Sequence, residues 1–259
     1  MTKNQQTTTS RSGALEARLK HPCFPQPENT SIKVWRYMDF VKFVWLLTHK
    51  QLYFTRLDLL SDTHEGSVTP QTAKGIDKFL KSRGAKVGWE QLSKIYQASR
   101  RTTFVNCWYA SNNESEAMWR LYCGAGHGVA VQTTYASLVD SIKNNNDLFI
   151  GLVSYIDYER EGFPSANVFY PVMHKRLAFS HEREVRMVIS PTKYRAAPPE
   201  PAPLGLTVEW DPTSLIEAVY VDPYAPEYYY EAAQSIVENL APGLVRKLVW
   251  SQMKSVPII

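Results

Sequence analysis

Glu182, Glu184 and Arg186 alternate along the segment HEREVRMVIS, and Lys175-Arg176 stands just before it, so two acids and several cations fall close to one stretch of chain. Period-2 geometry sends Val185, Met187 and Ile189 to one face of a strand and Glu182, Glu184 and Arg186 to the other. Two acids and several cations gathered near one strand can form a functional site. The same pattern on a solvated face gives only cross-strand ion pairs, worth a fraction of a kcal/mol each. Three other groupings could do chemistry: Trp35-Arg36-Tyr37; Tyr53-Phe54 followed by Asp58, Asp62, Glu65 and Gly66; and Cys107-Trp108 with Glu114, Met118, Trp119 and Tyr122. Arg36, flanked by Trp35 and Tyr37, is a functional candidate or else serves as a buried arginine paired with Glu65 or Asp62. Asp58, Asp62 and Glu65 supply the oxygen donors a hard cation wants, as in a metal-dependent nuclease or hydrolase, although Asp-rich loops more often cap helices and make turns. Trp108, Met118, Trp119 and Tyr122 read most simply as core.

Other chemistries are absent from the pattern. CGAGHG has neither the Gly-Lys-[Ser/Thr] ending of a phosphate loop nor the GxGxxG spacing, no GxSxG elbow occurs, and Val185 and Val68 stand where an HExxH site needs its second histidine. Cys23, Cys107 and Cys123 are an odd count without metal-site spacing and read as reduced, mostly buried thiols.

The ordered series WRY, LYFTRLDLLSDTHEGS, CWYASNNESEAMWRLYCGAGHGVAV and KRLAFSHEREVRMVI resembles the bacterial domain of unknown function 2971 family over roughly residues 33–251. That family name carries no activity. An arginine on a first strand, an aromatic strand after a helix and a late Glu-x-Glu also resemble the Arg…Ser…Glu arrangement of ADP-ribosyltransferases. The resemblance implies NAD as the substrate cofactor, with Glu184 as the catalytic carboxylate facing the oxocarbenium-like ribose and Glu182 activating the acceptor. It gives Arg36 the phosphate or ribose of NAD, and Tyr53, Phe54 or Trp119 the nicotinamide; Tyr37 and Arg176 complete the implied binding set. No Ser-Thr-Ser stretch stands at the second motif; Tyr53-Phe54-Thr55-Arg56 is the nearest counterpart and Ser111 a remote one. The implied acceptor is a protein or nucleic acid, or water in NAD hydrolysis, and the implied setting is a bacterial toxin or antiviral effector. No metal is expected. A binding module without chemistry, recognising a protein or nucleic acid through the charged strand face and tryptophans, is the alternative from another class.

The elements that must position these residues follow from pattern. Lys33 to Tyr37 reads as a strand, Asp39 as the cap of a helix with Phe40, Phe43, Val44 and Leu47 on one stripe, and Leu52–Leu60 as β-rich. Residues 70–102 read as helical with breaks at Gly84 and Gly88, 104–110 as a strand, and Ser111-x-x-Glu114 as a capping box opening a helix over 114–122. Strands are expected at 129–133, 147–158, 181–190, 206–210, 218–221 and 248–251, with a helix over 226–240. Residues 195–205 are a proline-rich loop. The expected fold is α+β, a single domain over 31–259 with mixed or antiparallel sheets surrounded by helices, ADP-ribosyltransferase-like by the resemblance. Residues 1–30, polar and punctuated by Pro22, Pro25 and Pro27, read as a flexible arm.

The 259 residues, with 44% hydrophobic and 21% charged side chains, suffice for a core without staples. A net charge of +4 from 29 Lys plus Arg against 25 Asp plus Glu is too mild to imply a nucleic-acid binder by itself. MTKNQQTTTSRSG lacks the apolar run of a signal peptide, and Phe40–Leu47, the most apolar segment, is far below the about 20 residues of a membrane span. A cytoplasmic protein without membrane contact is the expectation.

Overall fold

The computed structural model describes residues 15–255 other than 125, 143–144, 146, 165–166 and 198. The first fourteen residues of the expected arm and Pro198 of the proline-rich loop lie outside the described residues. The elements are β1 (Lys33–Asp39), α1 (Phe40–His49), β2 (Gln51–Arg56), α2 (Pro70–Ser82), α3 (Trp89–Thr102), β3 (Phe104–Ala110), α4 (Glu116–Cys123), β4 (Gly128–Thr134), α5 (Tyr135–Ser141), β5 (Leu148–Leu152), β6 (Ser154–Ile156), β7 (His174–Arg176), β8 (Glu184–Ile189), β9 (Gly205–Glu209), β10 (Ala218–Val221), α6 (Glu227–Leu240) and β11 (Leu248–Trp250), with short helical turns between them. The fold is α+β.

The described residues form two compact units, each assembled from separate stretches: those up to residue 27, with 53–107 and 142–206, in the first, and 28–52, 108–141 and those from 207 onward in the second.

In the first unit, β5 and β8 pair antiparallel, with Ile150 opposite Met187 and Gly151 opposite Arg186. The β6 and β7 strands pair in parallel, Tyr155 opposite Lys175. Thr55 of β2 faces Val105 of β3 in an antiparallel pair. A core of Cys23, Phe24, Leu57, Val105, Phe169, Val172, Met173 and Val188 fills this unit. Phe24, Phe149 and Phe169 contact one another with ring centroids 4.9–5.2 Å apart. Residues 15–27 are therefore packed and not a loose arm where they are described: Arg18 is buried and donates to the carbonyls of Asn145 and Leu148, and Phe24 is a central core ring. Aromatic burial outweighs the local signal of three prolines, since each such ring removes a large apolar surface from water.

In the second unit, β1 pairs antiparallel with β4 along its whole length and with β3 at Val34–Ala110 and Trp35–Tyr109. β10 pairs antiparallel with β4 and parallel with β11. Asp39 caps α1 as its type predicts, accepting from Lys42 N at 2.9 Å. The capping-box reading of Ser111 and Glu114 needs correction. Ser115 is the cap, and α4 begins at Glu116. Glu114 instead accepts from Trp119 Nε1 at 3.1 Å, Ser251 Oγ at 2.5 Å and Gln252 N at 2.8 Å, partners no local motif reveals.

Candidate functional site

Lys175, at the centre of β7, directs its ammonium into the first unit, where three carboxylates meet it: Glu182 at 2.5 Å, Glu65 at 3.0 Å and Glu184 at 3.1 Å. Arg186, two residues along β8 from Glu184, spans two of the same acids. Its Nη1 and Nη2 hold Glu65 at 2.9 and 3.2 Å, its Nε donates to Glu184 Oε2 at 2.8 Å, and Nη1 also donates to the Val172 carbonyl at 2.6 Å. The Arg186 side chain is fully shielded from solvent and those of the three acids and the lysine nearly so. An isolated charge in such a place would cost several kcal/mol; mutual pairing with good hydrogen-bond geometry offsets that cost.

The expected strand over 181–190 starts three residues late. Leu177–Glu182 is a 3-10 turn, Arg183 lies in the left-handed region at φ 40° and ψ 51°, and β8 begins at Glu184. Glu182 and Glu184 are thus not neighbours on one strand face. The reversal at Arg183 brings the Glu182 carboxylate onto Lys175 beside that of Glu184, at a backbone cost of about 1 kcal/mol for an L-residue. Both faces of β8 are buried, so the charged side meets an internal ion network and not water. Tyr155 of β6 fixes the start of the strand, its Oη accepting from Glu184 N at 2.9 Å.

Glu65 reaches the network from a tight loop whose next residue, Gly66, has φ 70°. A Cβ there would stand 2.5 Å from Leu57 Cδ2, so the loop needs glycine for both its conformation and its packing. Arg176, on the opposite side of β7 from Lys175, makes a two-bond pair with Asp62, Nη2 to Oδ1 at 2.7 Å and Nε to Oδ2 at 3.2 Å. The Phe179 ring lies under both cations, 4.8 Å from Lys175 Nζ and 5.3 Å from the Arg176 guanidinium.

Three acids share two cations in the innermost set, and protonation follows from that imbalance. Burial pushes the Glu182 carboxyl up, its hydrogen bond with Glu184 adds to this, and Lys175 offsets only part, leaving Glu182 at about 7. Burial also pushes Glu184 up, but Arg186 and Lys175 outweigh it and hold that acid below the ordinary carboxylate range. Burial favours neutral Lys175, yet Glu184 and Glu65 keep it protonated, with its pKa raised. The two acids are thus pushed in opposite directions, Glu184 toward its ionised form by the two cations and Glu182 toward its neutral form by burial and by Glu184.

The other sequence-derived candidates divide between the units. Tyr53 and Phe54 belong to the first. Tyr53 is 40% exposed, while Phe54 is completely buried and offers no ring face to a ligand. Arg36, Tyr37 and Trp119 belong to the second, where Arg36 is half-buried. Tyr37 and Trp119 meet edge to face at 5.0 Å inside the aromatic core with Trp35, Tyr109 and Met118, and Tyr37 Oη accepts from Ser115 N at 3.0 Å. Packing, not stacking on nicotinamide, is what these two rings and Phe54 do. The carboxylates of the metal reading are each taken by a different arginine: Asp58 by Arg56 at 2.6 Å, Asp62 by Arg176 and Glu65 by Arg186. No grouping of three or more His, Cys, Asp or Glu among the described residues has a metal-holding arrangement. Of the cysteines, Cys23 and Cys123 are buried and Cys107 half-buried, all as free thiols.

Glu65 and Tyr155 are the participants that sequence reasoning misplaced or missed. Glu65 stood among metal-ligand candidates, and its signal was the following glycine; Tyr155 had no motif. No family model matches the chain, and none of the curated proteins does.

Proposed function

We propose that the chain is an NAD-consuming enzyme of the ADP-ribosyltransferase type, with Glu184 and Glu182 as its catalytic pair. The observation that carries this reading is geometric: the carboxylates of Glu182 and Glu184 meet on the single ammonium of Lys175, at 2.5 and 3.1 Å, in a buried setting. In the reaction the bond between nicotinamide and ribose C1′ breaks, nicotinamide leaves with the bonding electrons, and an acceptor oxygen or nitrogen bonds to C1′. Glu184 stabilises the positive charge that develops on the ribose, and ionised Glu182 takes the proton the acceptor loses. Tyr53, 40% exposed in the same unit, keeps the role of nicotinamide contact that the resemblance gives it. The acceptor is a macromolecule or water, and the setting of toxin or antiviral effector rests on the resemblance.

A second reading is favoured by the pairing itself. Arg186 and the acids around it have partners on every side, as a network that only specifies the fold would, and the chain is then a binding module without chemistry. Incubating the purified protein with NAD, with and without cell lysate, and following nicotinamide separates the two. Release supports the enzyme; none from folded protein in either case supports the binding module.

A further inference from the structure

We infer that the helix pair α2 and α3 binds the phosphate backbone of a nucleic-acid duplex, an inference that stands apart from the enzymatic reading. Residues 70–102 hold eight Lys and Arg against two acids, Asp77 and Glu90, a net +6, while the whole chain carries +4 and the remainder is therefore −2. The mild overall charge thus conceals one strongly basic element, and charge concentrated in one place is what an electrostatic footprint for nucleic acid requires. The pair packs onto the rest of the first unit through one side: Thr72 and Ile76 of α2 are buried, and Arg100 of α3 donates to Thr63 O at 3.1 Å. The cations lie on the other side. Lys74, Lys78 and Lys81, at i, i+4 and i+7, form one stripe opposite Thr72 and Ile76, and these three with Arg83, Lys86 and Lys94 are all exposed. Lys81 meets Asp77 at 2.5 Å, and Arg101 meets Glu200 at 3.6 Å. Lys74, Lys78, Lys86 and Lys94 have no acidic partner among the described residues.

Lysines set along a helix without acidic partners neutralise phosphates and release their counterions, an interaction that reads no sequence. The outward side of α2 consists of Lys74, Gly75, Lys78, Lys81 and Ser82, without an apolar side chain, so it has nothing to bury in a membrane interface as an amphipathic membrane helix must. Single strands are held by stacking their bases on open aromatic rings. The rings of this pair are engaged elsewhere: Trp89 and Tyr96, both half-buried, meet at 6.0 Å, and Arg83 lies 5.6 Å over Phe79. What the surface offers is a set of point charges, and a duplex, with one negative charge per about 1.7 Å of its axis, is the polyanion that matches it.

The test measures binding of the full chain to a short labelled DNA duplex by fluorescence anisotropy, at salt from about 50 to 200 mM. The matching single strand, vesicles of phosphatidylserine and phosphatidylcholine, and polyglutamate are the competing probes. The variant K74Q/K78Q/K86Q is compared with K74R/K78R/K86R, which keeps the charge, and with K20Q/K42Q/K193Q, which removes the same charge at exposed lysines outside the pair. All three are expected to melt with wild type. Expected is a wild type that prefers the duplex to every other probe, and a K74Q/K78Q/K86Q protein that binds it at least tenfold more weakly. Its slope of log affinity against log salt should be shallower by about 2.7, or about 0.9 for each lost phosphate contact. The arginine variant and K20Q/K42Q/K193Q keep wild-type affinity. Equal losses in the two glutamine variants overturn the inference, as does a preference for vesicles, polyglutamate or the single strand. Nicotinamide release followed in the same samples keeps the readings apart. Duplex binding by protein that releases none supports this inference and counts against the NAD reading, whereas NAD cleavage without duplex binding overturns this inference alone.

Discussion

A carboxylate held by two cations and a carboxylate sharing one of them do not titrate alike, and this difference gives each acid its own signature. Glu184 has a folded pKa below the ordinary carboxylate value of 4.5, so its stabilising contribution is present above that value and is lost as the pH falls through the folded one. Glu184→Gln leaves Lys175 and Arg186 with one fewer anion in a buried site, and is expected to cost about 3–5 kcal/mol at neutral pH. Chemical denaturation from pH 7 downward checks this: the gap from wild type should narrow in acid, and a gap independent of pH contradicts the assignment. An alanine at Glu184 is for the same reason a poor test of catalysis, because it removes a buried partner of both Lys175 and Arg186. Glu182 has the opposite sign. With a folded pKa raised to about 7, it binds more protons folded than unfolded between 4.5 and 7, so wild-type stability falls as pH rises through that window. The melting temperature of Glu182→Gln relative to wild type is expected to climb across the same window; a flat difference shows that Glu182 does not titrate there.

At the scale of elements, what the sequence made legible were the stretches whose local signals agree with their packing. Asp39 caps α1, Gly84 and Gly88 interrupt the helical run over 70–102, the strand expected over 33–37 is present and runs on to Asp39, and the strand over 104–110 stands as expected, both in runs rich in aromatic and β-branched residues. The misread places are those where distant partners decide. Ser111 and Glu114 have the spacing of a capping box, yet Glu114 is drawn to Trp119 and the Ser251 region, and the cap passes to Ser115. HEREVRMVIS has the alternation of a half-solvated strand, yet Lys175 and Glu65 cover its charged side and the turn at Arg183 shortens it. Periodicity reports which side chains share a face; it does not report what packs on that face. The Glu65 loop is the element most exposed to a single change. Gly66→Ala combines positive φ with a close approach to Leu57 and should lower the melting temperature by several degrees, shifting Glu65 away from Arg186. A melting temperature equal to wild type shows that the loop accommodates the methyl group.

For the molecule as a whole, the α+β class was readable from the order of strand and helix signals, and its division into two discontinuous units was not. Each unit draws on three separated stretches of chain, and no composition shift marks such boundaries. The packed segment 15–27 was equally hidden, because its prolines and polar residues outweigh one central phenylalanine in any local reading. No helix among the described residues is long and apolar enough to cross a membrane. The carboxylates that could have formed a metal centre are individually bound to Arg56, Arg176 and Arg186. Nicotinamide release is therefore expected to be unchanged by EDTA and by added magnesium; dependence on a divalent cation favours the metal-dependent alternative.

The most direct measurement is the rate of nicotinamide release from NAD between pH 5.5 and 8.5, for wild type and for Glu182→Gln, with folding of both verified by their melting transitions. The account expects a wild-type rate that rises through about pH 7 as Glu182 ionises, and a rate at least tenfold lower and nearly pH-independent in the variant. Folded wild-type protein that releases no nicotinamide at any pH, with or without lysate, contradicts it.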